Sequence, residues 1–331
     1  ADTYKCTDRG ILILIIIMNN ELIGGGRMNR EIRTDLALEA REKFEEDNVE
    51  IKGVVLEEKR AGKDMLISKV VIETENGAKS MGKPKGTYVT FEAPNMMEED
   101  EEYHKEISVE LARIIRELVP LEQKDMSLLV VGLGNREVTP DALGPNVVDQ
   151  LFVTRHMIRE FGTYALGEEH TNQISGIVPG VMAQTGMESL EIVQGVAKET
   201  KPDCIFVIDA LAARSVKRLN RTIQITDVGI NPGSGVGNHR NGINRESIGV
   251  PVIAIGVPTV VDAATIVSDT MSSLIGAMTQ AEHLKRIGHS LNALEESEKH
   301  ALFRELLSPS LNAMFVTPKD IDESIRQISL T

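Results

Sequence analysis

The chain has 331 residues, of which 41% are hydrophobic, and this length allows one large α/β domain or two smaller ones. A formal net charge of −14 and the absence of Trp argue against binding to a phosphate backbone and against base stacking on single-stranded nucleic acid. The two cysteines lie far apart and predict neither a disulfide framework nor a metal motif, which favours a reducing, cytoplasmic location.

The first 27 residues predict no part of a packed domain. Their apolar run, residues 11–18, is too short to span a bilayer, and acidic residues before it argue against a signal peptide. The Gly/Arg run at 24–27 is what a ribosome-binding site encodes when it is translated in frame. We therefore expect Met28 to be the native start and residues 1–27 to be a non-native or disordered extension, with a strand-adding arm as the alternative.

The first half of the remaining chain predicts two helices around a group of strands. Helical spacing and strong helix formers predict a helix over residues 36–47. Short alternating segments at 50–95 predict an antiparallel β meander, either a small subdomain or an edge of the main sheet, with a turn at Asn76-Gly77. An amphipathic helix follows at 104–119.

From residue 127 onward, strands alternate with helices. This order predicts an α/β fold with a mostly parallel sheet and helices on both faces. The predicted elements are a strand at 127–132, a helix near 144–160, a segment near 174–182, a helix at 188–199, strands at 204–208, 222–226 and 251–256, and a long helix near 261–286.

Two conspicuous segments pair an apolar run with an aspartate. VVGLGNREVTPDALGP contains Asp141, and IFVIDALAAR contains Asp209. An apolar run followed by an acidic residue is typical of a buried parallel strand with a carboxylate at its C-terminal edge, where α/β enzymes bind ligands. Each aspartate alone is more typical of a helix N-cap, but two on one edge can share a proton and act as base and acid in hydrolysis. Asp227, Asp262 and Asp269 are reserve candidates.

A glycine-rich segment, NPGSGVGN, is the strongest loop feature. It is either a surface loop or a backbone that lines a substrate cleft and offers N–H groups to a carbonyl or a peptide strand. Its candidate cleft residues are Asn231, Gly233, Ser234, Gly235, Gly237 and Asn238.

Other chemistries have weaker support. The glycines that follow the strand at 127–132 lack the rest of a dinucleotide fingerprint, and the serine within NPGSGVGN lacks a nucleophile elbow. The seven histidines show no zinc-ligand spacing, and only His239 lies near a predicted site.

Six motifs together resemble the spore germination protease family: GNREVTPDALGP, LFVTRHM, ISGIVPGVMAQTGMES, PDCIFVIDALAARS, NPGSGVGN and IGVPTVVDAATIVSDT. The resemblance runs from about Ile32 to the C-terminus. It implies an endopeptidase that degrades small acid-soluble spore proteins during germination, and a homotetramer made as a self-processing zymogen. It also implies a fold like that of hydrogenase-maturation peptidases.

The resemblance also implies residue roles. The two essential aspartates of the family fall on Asp141 and Asp209, and this aspartic-type mechanism needs no metal or other cofactor. The family prefers an acidic P1 residue, a hydrophobic P1′ residue and Ala at P2′. Asp35, Leu36 and the alanine that follows match this order, in a segment expected to be extended and exposed. Self-cleavage after Asp35 is therefore predicted, which makes residues 28–35 (MNREIRTD) a propeptide and residues 36–331 the peptidase domain.

Two other functions remain open. One is a metal-dependent maturation peptidase of the related fold, in which Asp141 and Asp209 are ligands. The other is a non-catalytic spore scaffold protein. The expected partners are small acid-soluble spore proteins and further copies of the chain, without direct nucleic-acid or membrane binding, and the expected location is the cytoplasm of the developing spore and the spore core.

Overall fold

The computed structural model describes residues 35–46, 51–62, 64–119, 125–167, 171–233, 240–294 and 314–331. Residues 33–331 form one compact unit. The extension at 1–27 and all but the last residue of the propeptide at 28–35 lie outside the described residues, so the predictions about the native start and the propeptide remain predictions.

The strands of the described residues belong to one nine-stranded sheet. They are β1 (Val54–Ala61), β2 (Met65–Ile72), β3 (Gly86–Glu92), β4 (Ser127–Gly132), β5 (Gln173–Ile177), β6 (Cys204–Ala213), β7 (Thr222–Thr226), β8 (Val252–Asp262) and β9 (Phe315–Val316). Their order is β1-β2-β3-β7-β8-β6-β4-β5, and β9 pairs with β8.

The sheet has a parallel part and an antiparallel part. Strands β5, β4, β6 and β8 run parallel to one another, whereas β1, β2, β3 and β7 pair antiparallel. The junction lies between β7 and β8, which are antiparallel. The predicted α/β class is confirmed, and the antiparallel segments of 50–95 extend the edge of the main sheet.

The helices are α1 (Ala37–Glu46), α2 (Glu75–Met81), α3 (Glu101–Leu118), α4 (Leu143–Gln150), α5 (Arg155–Phe161), α6 (Met182–Thr185), α7 (Ser189–Thr200), α8 (Arg245–Ile248), α9 (Ala263–Gln280), α10 (Lys285–Asn292) and α11 (Ile321–Leu330). Those around the parallel strands cover both faces of the sheet. Alternate residues of β4 point to opposite faces. Leu128 and Val130 pack in the cluster that contains α3 and α11, whereas Leu129 and Val131 pack with α7.

Three element predictions were wrong in detail. Asn76-Gly77 lies inside α2 and not in a turn, because the Thr74 side chain caps that helix by accepting from the Gly77 N–H at 3.0 Å. The helix predicted near 144–160 is two helices, α4 and α5. Between them the Thr154 hydroxyl donates to the Asn172 carbonyl at 2.6 Å, which ties the chain to the sheet edge.

The long helix predicted near 261–286 is also two helices. It divides into α9 and α10. No helix among the described residues is both long and apolar enough to cross a membrane.

Candidate active site

A tight loop after β4 positions Asp141. Gly134 in this loop has φ +117°, and a Cβ atom there would lie 1.9 Å from the Asp141 carbonyl oxygen. The Asn135 N–H donates to that carbonyl at 3.0 Å and to the Asp141 carboxylate at 2.9 Å. The Thr259 hydroxyl donates to the Pro140 carbonyl at 2.7 Å and ties the loop to β8. The carboxylate of Asp141 is therefore held by one main-chain N–H that is local in sequence, and its loop is also held by a distant side chain.

Glycine in the DALGP motif allows α4 to begin directly above the strands. A Cβ atom at Gly144 would lie 2.3 Å from the Leu133 carbonyl oxygen and 2.5 Å from that of Ile208. Main-chain atoms cannot move aside as a flexible side chain can. The motif therefore encodes a close approach of helix and sheet next to Asp141.

Asp209 lies inside β6. The pairing of β6 with β4 ends near Ile208, whose carbonyl accepts from the Leu133 N–H at 2.8 Å. Strand β6 then continues beside β8, where Asp209 lies opposite Gly256. The Asp209 side chain is buried, with 6% of the residue exposed, and its Oδ1 accepts from the Ala210 N–H at 2.9 Å. Asp209 thus lies just beyond the end of β4 on one side, while β8 continues on the other side.

The helix-cap interpretation is wrong for both aspartates. No helix follows Asp209, because β6 continues to Ala213. The N-cap residue of α4 is Ala142, which makes no side-chain cap, and the Asp141 carboxylate turns back toward Asn135.

A cleft of about 380 Å³ brings the two aspartates onto one surface. It lies where β4 and β6 approach the glycine-rich segment and β9. Its wall is formed by Asp35, Leu133, Gly134, Val138, Pro140, Asp141, Gly180, Val181, Ser189, Asp209, Ala210, Leu211, Ala212, Ile230, Asn231, Pro232, Gly233, Arg240, Thr259, Val260, Phe315 and Thr317.

The two carboxyl groups have different electrostatic surroundings. Burial raises the pKa of Asp209 well above its usual value, and the charges of Asp141 and Asp35 raise it further. Burial also raises the pKa of Asp141, but the Asn135 N–H and the Arg240 charge oppose that rise. The pair is therefore suited to holding one proton, with Asp209 as its more protonated member.

Arg240 is a cleft residue that sequence analysis missed. It lines the cleft, and its positive charge lowers the pKa of both Asp141 and Asp209. The sequence pointed instead to His239, which lies outside the described residues. Arg240 could have been found as a basic residue two positions after the glycine-rich segment, in a chain with a net charge of −14.

The glycine-rich segment is described in part. Asn231 and Gly233 line the cleft, as expected for a backbone that borders the substrate. Gly233 has φ +73°, a conformation that favours glycine. The other predicted cleft residues of the segment lie outside the described residues: Ser234, Gly235, Gly237 and Asn238.

The reserve aspartates lie elsewhere. The Asp227 carboxylate accepts from the Thr87 N–H at 2.8 Å and joins β7 to β3. Asp262 caps α9, and Asp269 is exposed on that helix. None of these three lines the cleft.

The predicted self-cleavage bond lies against the cleft and is not exposed. Asp35 lines the cleft, and its N–H donates to the Ala212 carbonyl at 3.1 Å, while the Ala212 N–H donates to its carboxylate at 2.9 Å. Leu36 is fully buried and packs with Leu211 and Leu219. For the described residues of this segment, the expectation of exposure was wrong because β6 extends beyond β4 and leaves an edge on which Asp35 pairs.

Within the described ranges, no group of three or more His, Cys, Asp or Glu side chains is arranged to hold a metal ion. The metal-dependent alternative therefore depends on a chemical test.

Comparison with known proteins identifies the family of the chain. Residues 31–289 match the family model described as germination protease. The chain belongs to the germination protease family. Membership in this family makes the chain a peptidase.

Several germination proteases are similar over nearly the whole chain. The protein from Caldanaerobacter subterraneus subsp. tengcongensis is 48% identical over 90% of this chain and 91% of its own length. The proteins from Clostridium tetani and Geobacillus sp. are 44% and 40% identical over 90% of this chain and cover 92% and 90% of their own lengths. Among solved structures, a [NiFe] hydrogenase maturation protease, HycI, from Thermococcus kodakarensis aligns with a TM-score of 0.29 and 19% identity, over 44% of this chain and 80% of that one.

Proposed function

We propose that the protein is a germination endopeptidase that starts the degradation of small acid-soluble spore proteins, with Asp141 and Asp209 activating water. The observation that supports this proposal most directly is that both carboxyl groups line one cleft and neither caps a helix. Family membership supplies the peptidase activity, and the paired carboxyl groups are the chemistry that this activity can use.

The two carboxyl groups have different roles in the reaction. Asp141, the less buried of the two, takes a proton from a water molecule as that water attacks the substrate carbonyl carbon. Asp209, whose pKa burial raises well above its usual value, donates a proton to the leaving amide nitrogen. The carbon–nitrogen bond then breaks to give a carboxylic acid and an amine, and the acid proton passes to the amine to leave a carboxylate and an ammonium group.

Substrate selection is proposed to follow the acidic P1 preference of the family. Arg240 places positive charge in a cleft that otherwise carries carboxyl groups, and this charge attracts an acidic side chain. The apolar wall, which includes Leu211 and Phe315, suits a hydrophobic residue.

The zymogen proposal places self-cleavage between Asp35 and Leu36, with residues 28–35 as the propeptide and 36–331 as the mature peptidase. Acidification favours this step by maintaining the shared proton of the carboxyl pair. The test is N-terminal sequencing after mild acid incubation, and a mature N-terminus other than Leu36 contradicts the proposal.

Homotetramer formation and a location in the developing spore and the spore core are part of the same proposal. Exposed aromatic side chains on and beside α5 offer apolar surface for subunit contacts. They are Phe152, Phe161 and Tyr164, which are 66%, 73% and 74% exposed. Sedimentation of the purified protein tests the assembly.

One assay separates the three functional hypotheses. The purified protein is incubated with a small acid-soluble spore protein, with and without a chelator, alongside Asp141→Asn and Asp209→Asn. The aspartate mechanism predicts cleavage that resists the chelator and is lost in both variants. Loss of wild-type cleavage on chelation favours the metal-dependent peptidase, and a wild-type protein that never cleaves favours the scaffold.

A further inference from the structure

Two side chains hold the main-chain carbonyl of Asp35. The Lys83 Nζ donates to this oxygen at 2.9 Å, and the Gln224 Nε2 donates to it at 3.0 Å. The Gln224 Oε1 accepts in turn from the Ala37 N–H at 2.7 Å. The peptide bond between Asp35 and Leu36 is thus held from both sides by side chains that are distant in sequence.

One donor lies on a strand and the other in a loop. Gln224 lies on β7 and is buried, with 7% of the residue exposed. Lys83 follows the C-cap of α2 and precedes β3. Burial lowers the pKa of Lys83, and the charges of Asp35 and Glu39 oppose this change only in part. The side chain is half-buried, and its Nζ is directed at the Asp35 carbonyl oxygen.

We propose that Lys83 and Gln224 stabilise the oxyanion that forms on the Asp35 carbonyl during self-cleavage. The proposal rests on the self-processing proposed above and adds the groups that activate its scissile bond. Both groups contact the carbonyl oxygen of the uncleaved bond, at 2.9 and 3.0 Å, so they are placed to stay within donor range as that oxygen becomes an oxyanion. A cation and an amide that converge on one carbonyl are stronger donors than a typical main-chain pair.

The groups that take part in self-cleavage lie on two sides of Asp35. Its carboxylate lines the cleft, and its charge raises the pKa of Asp209. Its carbonyl oxygen contacts Lys83 and Gln224. The buried side chain of Leu36 fixes the leaving nitrogen in place.

The step balances with water as the only co-reactant. The water oxygen bonds to the Asp35 carbonyl carbon, and one carboxylate of the Asp141–Asp209 pair takes the released proton. The negative charge forms on the oxygen held by Lys83 and Gln224. When the carbon–nitrogen bond breaks, the other carboxyl group protonates the Leu36 nitrogen. The products are a new carboxylic acid on Asp35 and a Leu36 amine, and the acid proton passes to the amine to leave a carboxylate and an ammonium group.

Variants of Lys83 measure the contribution of the cation. We expect Lys83→Met to slow formation of the Leu36 N-terminus by about 10²–10³-fold, the effect of losing one oxyanion donor. Lys83→Arg keeps a cationic donor and is expected to recover part of this rate. The matched control is Lys85→Met, because Lys85 is exposed and pairs with Glu75 at the surface.

Variants of Gln224 separate catalysis from anchoring. Gln224→Glu keeps the acceptor for the Ala37 N–H and, in its ionised form, loses the donor to the Asp35 carbonyl, whereas Gln224→Met loses both. The proposal predicts that both variants slow self-cleavage to a similar extent. If Gln224 only anchors the chain, Gln224→Glu cleaves at the wild-type rate. Gln194→Glu is the matched control, since Gln194 is exposed on α7.

All variants are compared by intact mass over time at a series of pH values from acidic to neutral, with melting temperatures recorded for each. Gln224→Glu is compared with wild type at the pH values where its new carboxyl group is ionised. If Lys83→Met and Gln224→Glu form the Leu36 N-terminus as fast per folded molecule as wild type does, the oxyanion proposal is overturned. The proposed cleavage site is then unaffected, because wild type still produces the Leu36 N-terminus. A wild-type protein cleaved at another bond overturns both the processing site and the oxyanion proposal. Cleavage of the spore protein by wild type is scored separately, so the endopeptidase proposal has its own outcome.

Discussion

The loop that carries Asp141 and the strand that carries Asp209 hold the same functional group in different surroundings. In the loop, burial raises the pKa of the Asp141 carboxyl group, but a main-chain N–H to its carboxylate opposes that rise. The strand buries its carboxyl group, which favours the protonated form. Two chemically identical side chains thus become a base and an acid because they occupy different positions in the fold.

The largest expected effect comes from removing the proton exchange of either carboxyl group. Asp141→Asn and Asp209→Asn should each lower turnover by about 10²–10⁴-fold, because an amide keeps the shape but cannot act as acid or base. The measurement is the initial rate on a spore protein, with circular dichroism to check folding. Near-normal turnover in both variants contradicts the acid/base pair.

The next effect tests the loop alone. Gly134→Ala should displace Asp141, because the added Cβ would lie 1.9 Å from the Asp141 carbonyl oxygen and φ is +117°. We expect turnover to fall by about 10²-fold, because even a 1 Å misplacement of a reacting group has this effect. Gly249→Ala is the control, since Gly249 also has positive φ but no atom within 4 Å of the added Cβ. Equal turnover in the two variants would mean that the loop does not position Asp141.

A smaller effect concerns stability and tests the strand. Because the folded pKa of Asp209 is raised, the folded state binds more protons than the unfolded state between the usual and the raised pKa. The contribution of Asp209 to stability is therefore present at low pH and declines as pH rises through that window. Asp209→Asn should lose this component of the pH dependence in thermal unfolding. An unchanged slope in the variant would show that Asp209 is not the titrating group.

The smallest expected effect tests the charge shared by both regions. Arg240→Met removes a charge that lowers the pKa of both aspartates, so the pH profile of turnover should move to higher pH. A shift of less than about one pH unit is expected for a partly solvated charge. Arg245→Met is the control, because Arg245 lies on α8 and does not line the cleft. Identical profiles would remove Arg240 from the electrostatics of the cleft.

Local sequence patterns predicted much of this molecule. Apolar β-branched runs predicted the parallel strands, because such residues suit strands buried on both faces. The aspartates beside those runs predicted the candidate site, and both lie on one cleft. Strand β6 nevertheless extends beyond the predicted 204–208, because its last residues pair with β8 after β4 has ended.

The sequence by itself determined the α/β class, the family and the two candidate aspartates, since these depend on local residue patterns and ordered motifs. Only the tertiary structure decided what surrounds Asp35. Lys83, Ala212 and Gln224 contact it from positions 48, 177 and 189 residues away along the chain. Arg240 likewise lines the cleft beside residues that are distant in sequence. Contacts between residues so far apart depend on strand order and helix placement, which no local pattern encodes.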